Sequence, residues 1–324
     1  MMNKISTIVL AATFVIPVRA GQRPHDLVSR FSVISRGLIF ERLADDPSRL
    51  PELIEQLRAG RSLVRRGEVR VQTVADLRSA RSFIIPAAGS VRGGGGTFFR
   101  SDVTLVNYAD HDQTVLASWI AQGSSLATPP SVKITLKANR APVTTTDFVG
   151  TVLGQQGLGS IFFIPITATN TPDTNAAVDG FSRIWTNQPN ATGTVSQEFP
   201  PVDPDSLSTE DEALSMGLRA DSGYRTNFGI VNADDTPHTF HVTFIGERAG
   251  TEATVTVSGA GMIQQAIPPG DYGALSIVFT VTDSGTSGIS WVAYASSTDN
   301  ITGDGWVSIA AADLTPSGLT RLGD

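Results

Sequence analysis

The chain has 324 residues, no cysteine, and 24 Lys and Arg against 31 Asp and Glu, a formal net charge of −7. Without thiols there are no disulfide staples, no cysteine-ligated metals and no thiol catalysis. Charge is unevenly spread: residues 21–82 hold 12 Arg and no Lys against 8 acids, whereas residues 83–324 hold 10 basic against 23 acidic side chains. Such an acidic body argues against a nucleic-acid interface, which needs clustered Lys and Arg for phosphate contacts.

Residues 1–20 read as a secretory signal peptide. Lys4 supplies a positive start, Ile5 to Ile16 are apolar apart from Ser6, Thr7 and Thr13, and Pro17-Val18-Arg19-Ala20 gives a breaker with a small-residue cleavage pattern. Cleavage is expected after Ala20. The apolar run is shorter than the roughly 20 residues of a spanning helix, and no later stretch is long and apolar enough, so no membrane span is expected in the mature chain. Export without cysteine points to a bacterial secreted, extracellular or cell-surface protein, with the periplasm as the alternative.

Residues 21–81 predict a helical N-terminal arm. Leu27, Phe31, Ile34 and Leu38 recur at spacings of three and four. Further on, Pro51 suits a first helical position, Leu53, Ile54 and Leu57 form a stripe, and Gly60 stops it. The arginines read as a solvated face, with docking to an anionic envelope polymer or partner protein as the sharper alternative.

From residue 82 the pattern changes to period two, and it is written twice. "FFRSDVTLVN" from Phe99's neighbour Phe98 onward reappears as "GYRTNFGIVN" from Gly223, so that Arg100 falls on Arg225, Val103 on Phe228, Leu105 on Ile230 and Asn107 on Asn232. After a polar break, Val115, Ala117 and Trp119 meet Phe240, Val242 and Phe244. Each copy predicts two alternating strands joined by an Asp/Asn-rich turn, an antiparallel hairpin. Asn107 and Asn232 stand where the chain leaves the strand, and their side chains can bond the turning backbone. Arg100 and Arg225 face outward and predict cross-strand or rim salt bridges rather than ligand contacts.

The likeness continues at other offsets. "SIFFIPI" from Ser160 parallels "LSIVFTV" from Leu275, and "FSRIWTNQPNATG" from Phe181 is set against "WVAYASSTDNITG" from Trp291. About seven short strands per copy predict a mainly β chain of two tandem antiparallel β-sandwich domains after the arm. The expected bounds are 82–203 for the first domain, 204–215 for a linker, 216–313 for the second domain and 314–324 for a C-terminal tail. The Pro-, Ser- and acid-rich segment from Pro200 to Ser215 reads as a solvated connection with a helical turn at Thr209–Leu214.

"FIIPAAGSVRGGGGTFFRSDVTLVNYAD" followed by "DGFSRIWTNQPNATGTVSQEF" resembles a repeat of uncharacterised secreted proteins of environmental bacteria. The resemblance covers Ser82–Pro201 well and Met216–Ala312 less well, because Ala293 stands where the first copy has Arg183. It implies an immunoglobulin-like sandwich and export, and no assigned chemistry.

Candidates for chemistry are thin. His238 and His241 are three apart and would point to opposite strand faces, a poor metal pair. His111 between Asp110 and Asp112 reads as a polar turn, with a weak calcium site as the alternative. Gly93–Gly96 lacks the Lys-Ser/Thr and the helix of a phosphate loop, and Gly285–Ser290 lacks the spacing of a serine elbow. No catalytic residue, metal site or cofactor is predicted. Trp119 and Trp291 align with aromatic partners (Phe244 and Phe181) and read as core. Trp185 and Trp306 are the better exposed candidates for stacking on a sugar, with core or rim packing as the favoured reading because tryptophan is highly buried on average. The expectation is a secreted, non-catalytic structural or adhesive protein whose partner is an envelope protein or polysaccharide. Its alternative is a carbohydrate-binding module that uses Trp185 and Trp306.

Overall fold

The computed structural model describes residues 82–124, 129–188, 192–204, 206–207, 212–283 and 289–312. The signal peptide with its cleavage site, the N-terminal arm and the tail 314–324 lie outside the described residues. The described chain is mainly β and antiparallel throughout, as the alternation predicts. Its helical content is one α turn, Phe148–Thr151 (α1), and a 3-10 turn at Gly94–Gly96.

The first set of strands is β1 (Phe83–Arg92), β2 (Phe98–Asn107), β3 (Gln113–Ala121), β4 (Ser131–Leu136), β5 (Val143–Thr145), β6 (Gly157–Ile166), β7 (Val178–Asn187) and β8 (Thr194–Phe199). They pair in the order β4-β3-β6-β1-β2-β7-β8, with β5 also on β2. β1 joins the two parts of this sheet: residues up to Ser90 pair with β6, and Ser90–Arg92 pair with β2. The register along β6 shifts between Ile85 and Ala88, where Pro86 has no N–H to give to a ladder.

The second set is β9 (Glu212–Ala220), β10 (Tyr224–Asn232), β11 (His238–Gly246), β12 (Gly250–Val257), β13 (Gly261–Ala266), β14 (Gly273–Val281), β15 (Trp291–Asp299), β16 (Gly305–Ile309) and β17 (Ala311–Ala312). Its sheets run β12-β11-β14-β9-β17 and β13-β10-β15-β16. Strand for strand this is the pairing scheme of the first set: β12-β11-β14-β9 matches β4-β3-β6-β1, and β13-β10-β15-β16 matches β5-β2-β7-β8. β9 even repeats the register shift, between Ser215 and Leu218, with Gly217 at φ 73° in the left-handed region that favours glycine.

Alternation decides what is buried. Val103 and Leu105 on β2, Trp119 on β3 and Phe163 on β6 lie in one apolar cluster. Phe228 and Ile230 on β10, Phe244 on β11, Phe279 on β14 and Trp291 on β15 lie in another. Rings meet within these clusters, Phe228 with Phe244 at 5.4 Å and Phe240 with Trp291 at 5.3 Å between centroids. Each fully buried side chain of this size contributes about 1.5–3 kcal/mol.

Two expectations change. First, setting Phe181 against Trp291 is off by three residues. Asn107 pairs with Val178 and Asn232 with Trp291, so Val178 corresponds to Trp291 and Phe181 to Tyr294. An odd slip turns a strand over, which is why Trp291 is fully buried while Phe181 is 37% exposed. Second, the segment expected to be a solvated linker is pinned at points along its length. Val202 exchanges backbone hydrogen bonds with Ile84 (2.8 and 2.9 Å), and Leu207 bridges to Trp291. Both side chains are buried. Residues 212–214, where a helical turn was expected, belong to β9, because pairing with β14 and burial of Ala213 override the helical propensity of that run.

The two sets meet within one compact unit. Ile84 and Val202 form an apolar cluster with Val231, Met262 and Val292, and Phe162 packs against it. Gly123 N donates to Met262 O (3.0 Å), and Gln122 Nε2 to Gln264 O (2.8 Å).

Candidate functional site

The outward face of β2 and β7 gathers the side chains that the core does not use. Arg100 lies directly across from Trp185, and Asp102 across from Arg183. The Arg100 guanidinium carbon is 4.7 Å from the centre of the Phe98 ring and 5.4 Å from that of Trp185, while Arg183 stands 6.0 Å from Trp185 on its own strand. Arg183 Nη2 donates to Thr194 Oγ1 at 2.7 Å. Asp102 Oδ1 accepts from the Asp147 amide (3.2 Å). Trp185 is half-buried, and its Nε1 is enclosed with no hydrogen-bond partner among the described residues.

The expected salt bridges at the repeated arginines are not what forms. Arg100 is held between two aromatic faces, and Arg225 Nη1 donates to Asn300 Oδ1 at 2.9 Å; neither makes an ion pair among the described residues. A weakly hydrated, planar guanidinium gains more from flanking rings than from an exposed carboxylate.

Trp306 stands on β16, 38% exposed. Its Nε1 donates to Gly217 O (2.8 Å), and its ring meets Tyr224 edge-on at 5.9 Å. Arg219 lies 4.5 Å over Tyr224, and its Nε reaches Asp221 Oδ2 at 2.6 Å. The hydrogen bond from Arg219 holds the Asp221 carboxyl below the usual carboxylate range. Arg248 touches the same oxygen at 3.5 Å and Asp271 at 3.0 Å. Trp185 and Trp306 thus sit on different sheets with separate partners, Trp185 beside Arg100 and Arg183, and Trp306 beside Tyr224. Trp119 and Trp291 are in the core, as expected.

Sequence reasoning did not single out Phe98, Arg100 and Arg183 as the group gathered at Trp185. The signal was present in the period-two spacing of 98, 100 and 102 on one strand and 181, 183 and 185 on the next, but it needs the register to be read.

The polar turns serve the backbone. Asn107 Nδ2 donates to His111 O (2.7 Å) and Leu136 O (3.4 Å), and its Oδ1 accepts from Ala109 N. Asn232 repeats the arrangement with Thr236 O, Val257 O, Ser258 O and Asp234 N. Lys137 hydrogen-bonds Asp112 and lowers its carboxyl pKa, and the Ala138 amide adds to this. His238 is buried between Asp283 Oδ2 (Nδ1, 2.8 Å) and Thr236 Oγ1 (Nε2, 3.1 Å). An acid, an imidazole and a hydroxyl in line have the order of a nucleophile relay. The corresponding residue of the first set is Gln113, whose Nε2 closes the strand end on Thr114 O and Ile166 O; His238 instead meets two side chains, and Asp283 Oδ2 also accepts from the Thr239 amide at the strand end (3.1 Å). Among the described residues no group of three His, Asp or Glu side chains converges for a metal, and no helix is long and apolar enough to cross a membrane.

No protein-family model matches the chain, and no curated protein matches it. The resemblance to a secreted bacterial repeat rests on its residues alone.

Proposed function

We propose that the chain is a secreted, non-catalytic extracellular or cell-surface protein with a structural or adhesive role, built as two tandem immunoglobulin-like β-sandwich domains. The observation that carries this reading is the recurrence of one strand scheme and one asparagine turn lock in both sets, with the polar clusters spent on turns and strand ends. Such a body displays faces and strand edges to a partner. The signal peptide pattern supports delivery to the outside, where the partner is an envelope protein or polysaccharide.

Pull-down from the envelope and culture fluid of producing cells, with residues 21–324 and with residues 83–324, tests it. Specific retention of an envelope component is expected. Turnover of substrates in a broad hydrolase screen by purified protein would overturn the non-catalytic reading.

The outer face at Trp185 favours carbohydrate binding as the second reading, since a half-exposed indole between arginines offers both a stacking surface and fixed donors. On a glycan array, a positive saccharide is expected to lose at least about tenfold in affinity with Trp185→Ala, roughly 1.4 kcal/mol. Trp306→Ala reports separately on the second face. Hits that neither substitution weakens would end this reading.

A further inference from the structure

Open sheets end in strands whose outward N–H and C=O groups can capture another strand, and proteins ordinarily guard them with Pro, Lys, irregularity or covering. Most edges of this molecule are guarded. β4 follows Pro129 and Pro130 and carries Lys133. β8 runs into Pro200 and Pro201. β13 is covered by Gly123 and Gln122, which bond Met262 O and Gln264 O. β16 is tied to β9 through Trp306 Nε1 on Gly217 O and the Met216 amide on Ser308 Oγ. β5 and β17 are very short.

β12 has none of these guards. It pairs without interruption from Gly250, opposite Ile245, to Val257, opposite His238, and "GTEATVTV" contains no proline, no lysine and one charge, Glu252. Gly246 N donates to Ala249 O at 2.9 Å, which sets the phase of the ladder. Bonded and non-bonded pairs alternate from there. Glu252, Thr254 and Thr256 therefore turn their backbone groups away from β11, and among the described residues nothing bonds them. Their side chains are exposed, whereas Thr251, Ala253 and Val255 are half-buried.

We propose that the free edge of β12 is an interaction surface for a second copy of this chain, pairing antiparallel with the same strand about a twofold axis at Thr254. In that register Thr254 faces Thr254 of the second copy, and Glu252 faces Thr256. The edge's only carboxylate is thereby set against a hydroxyl, and Thr–Thr pairs add to the backbone bonds. Parallel in-register pairing would bring the two glutamates side by side, which is unfavourable. The strand's charge pattern thus selects its own antiparallel copy, and the result is a closed, isologous dimer rather than a fibre.

Because the chain has no native cysteine, one introduced thiol reports on this contact. A bonded antiparallel pair has Cα atoms about 5.5 Å apart, inside the range that a disulfide spans. Residues 21–324 carrying Thr254→Cys are expected to give a covalent dimer under mild oxidation. Ile301→Cys, at a site 92% exposed, is expected to give none. In sedimentation the unmodified chain is expected at dimer mass, and Thr254→Pro at monomer mass with an unchanged far-UV signal, since the N–H it removes makes no bond to β11. A monomer at the highest soluble concentration, or a dimer indifferent to Thr254→Pro, would overturn the proposal. So would a monomer that uses this edge only to capture a different protein.

Discussion

Tyr294→Ala is expected to destabilise the protein by about 3–5 kcal/mol, the cost of emptying a fully buried aromatic site. Tyr294 stands on β15 facing away from Trp291, Ala293 and Ala295, which line the core of its own set. Its ring belongs to the apolar cluster of the first set and meets Phe199 edge-on at 5.4 Å and 88°. Its hydroxyl donates to Gln264 Oε1 at 2.7 Å, and burial pushes its pKa up, so that it stays a neutral donor. The site exists because the residue across the ladder is Gly229, where a Cβ would overlap the tyrosine ring.

Three variants separate these contributions. Tyr294→Phe keeps the ring and loses the hydrogen bond, and a cost of about 1 kcal/mol is expected. Gly229→Val forces the ring out and is expected to approach the alanine value. Urea titration followed by fluorescence and by far-UV signal checks all three. Because Tyr294 binds the two sets together, the unmodified protein is expected to unfold in one transition by both probes. Two separated transitions, with Tyr294→Ala shifting only one of them, would show that the seam contributes little.

That seam explains what was legible in the sequence and what was not. Period two and the doubled motif were enough to place β2, β3, β10 and β11 and to put Trp119 and Phe244 in equivalent core positions. Those facts live in local spacing. The relation of Phe181 to Tyr294 does not, because both readings of "FSRIW" against "WVAYA" look alike until the ladder from Asn107 and Asn232 fixes the register. With the register known, the difference between the repeats becomes physical. Val292 and Tyr294 lie on a face covered by the first set, and of their counterparts Asp179 is half-buried and Phe181 is exposed.

The same logic governs the candidate site. Trp185 and Trp306 could be picked out because indoles outside the core pattern stand out in a strand. Arg100's aromatic cradle could not, since Phe98 precedes it on one strand and Trp185 comes from another far along the chain. An arginine followed two residues later by an acid reads as a salt bridge in one dimension. In three dimensions Asp102 is engaged by the Asp147 amide and the guanidinium turns to the rings. The linker misled for a related reason: Pro, Ser and acids describe solvation on average, while Val202 and Leu207 are placed singly to be buried.

The second large effect is expected at the paired asparagines. Both are fully buried, and each uses all of its amide to tie the strand end to the following turn and to the carbonyl of a neighbouring strand. Alanine removes the donor and takes one hydrogen bond from each of these carbonyls, which costs about 1–3 kcal/mol wherever a carbonyl keeps no other partner. Asn232→Ala is expected to lose about 2–4 kcal/mol, and Asn107→Ala less, since Asn107 serves fewer carbonyls. Asn232→Asp is the sharper test. Its size is unchanged, but a carboxylate facing those carbonyls repels them and gives no donor. Its folded pKa must then rise above the unfolded value. Stability lost at neutral pH is expected to return as pH falls through that raised value and the protonated oxygen can donate again. Chemical denaturation at neutral and mildly acidic pH reads this directly. A variant as stable as the unmodified chain at neutral pH would mean that the asparagines fill space at the turn without locking it.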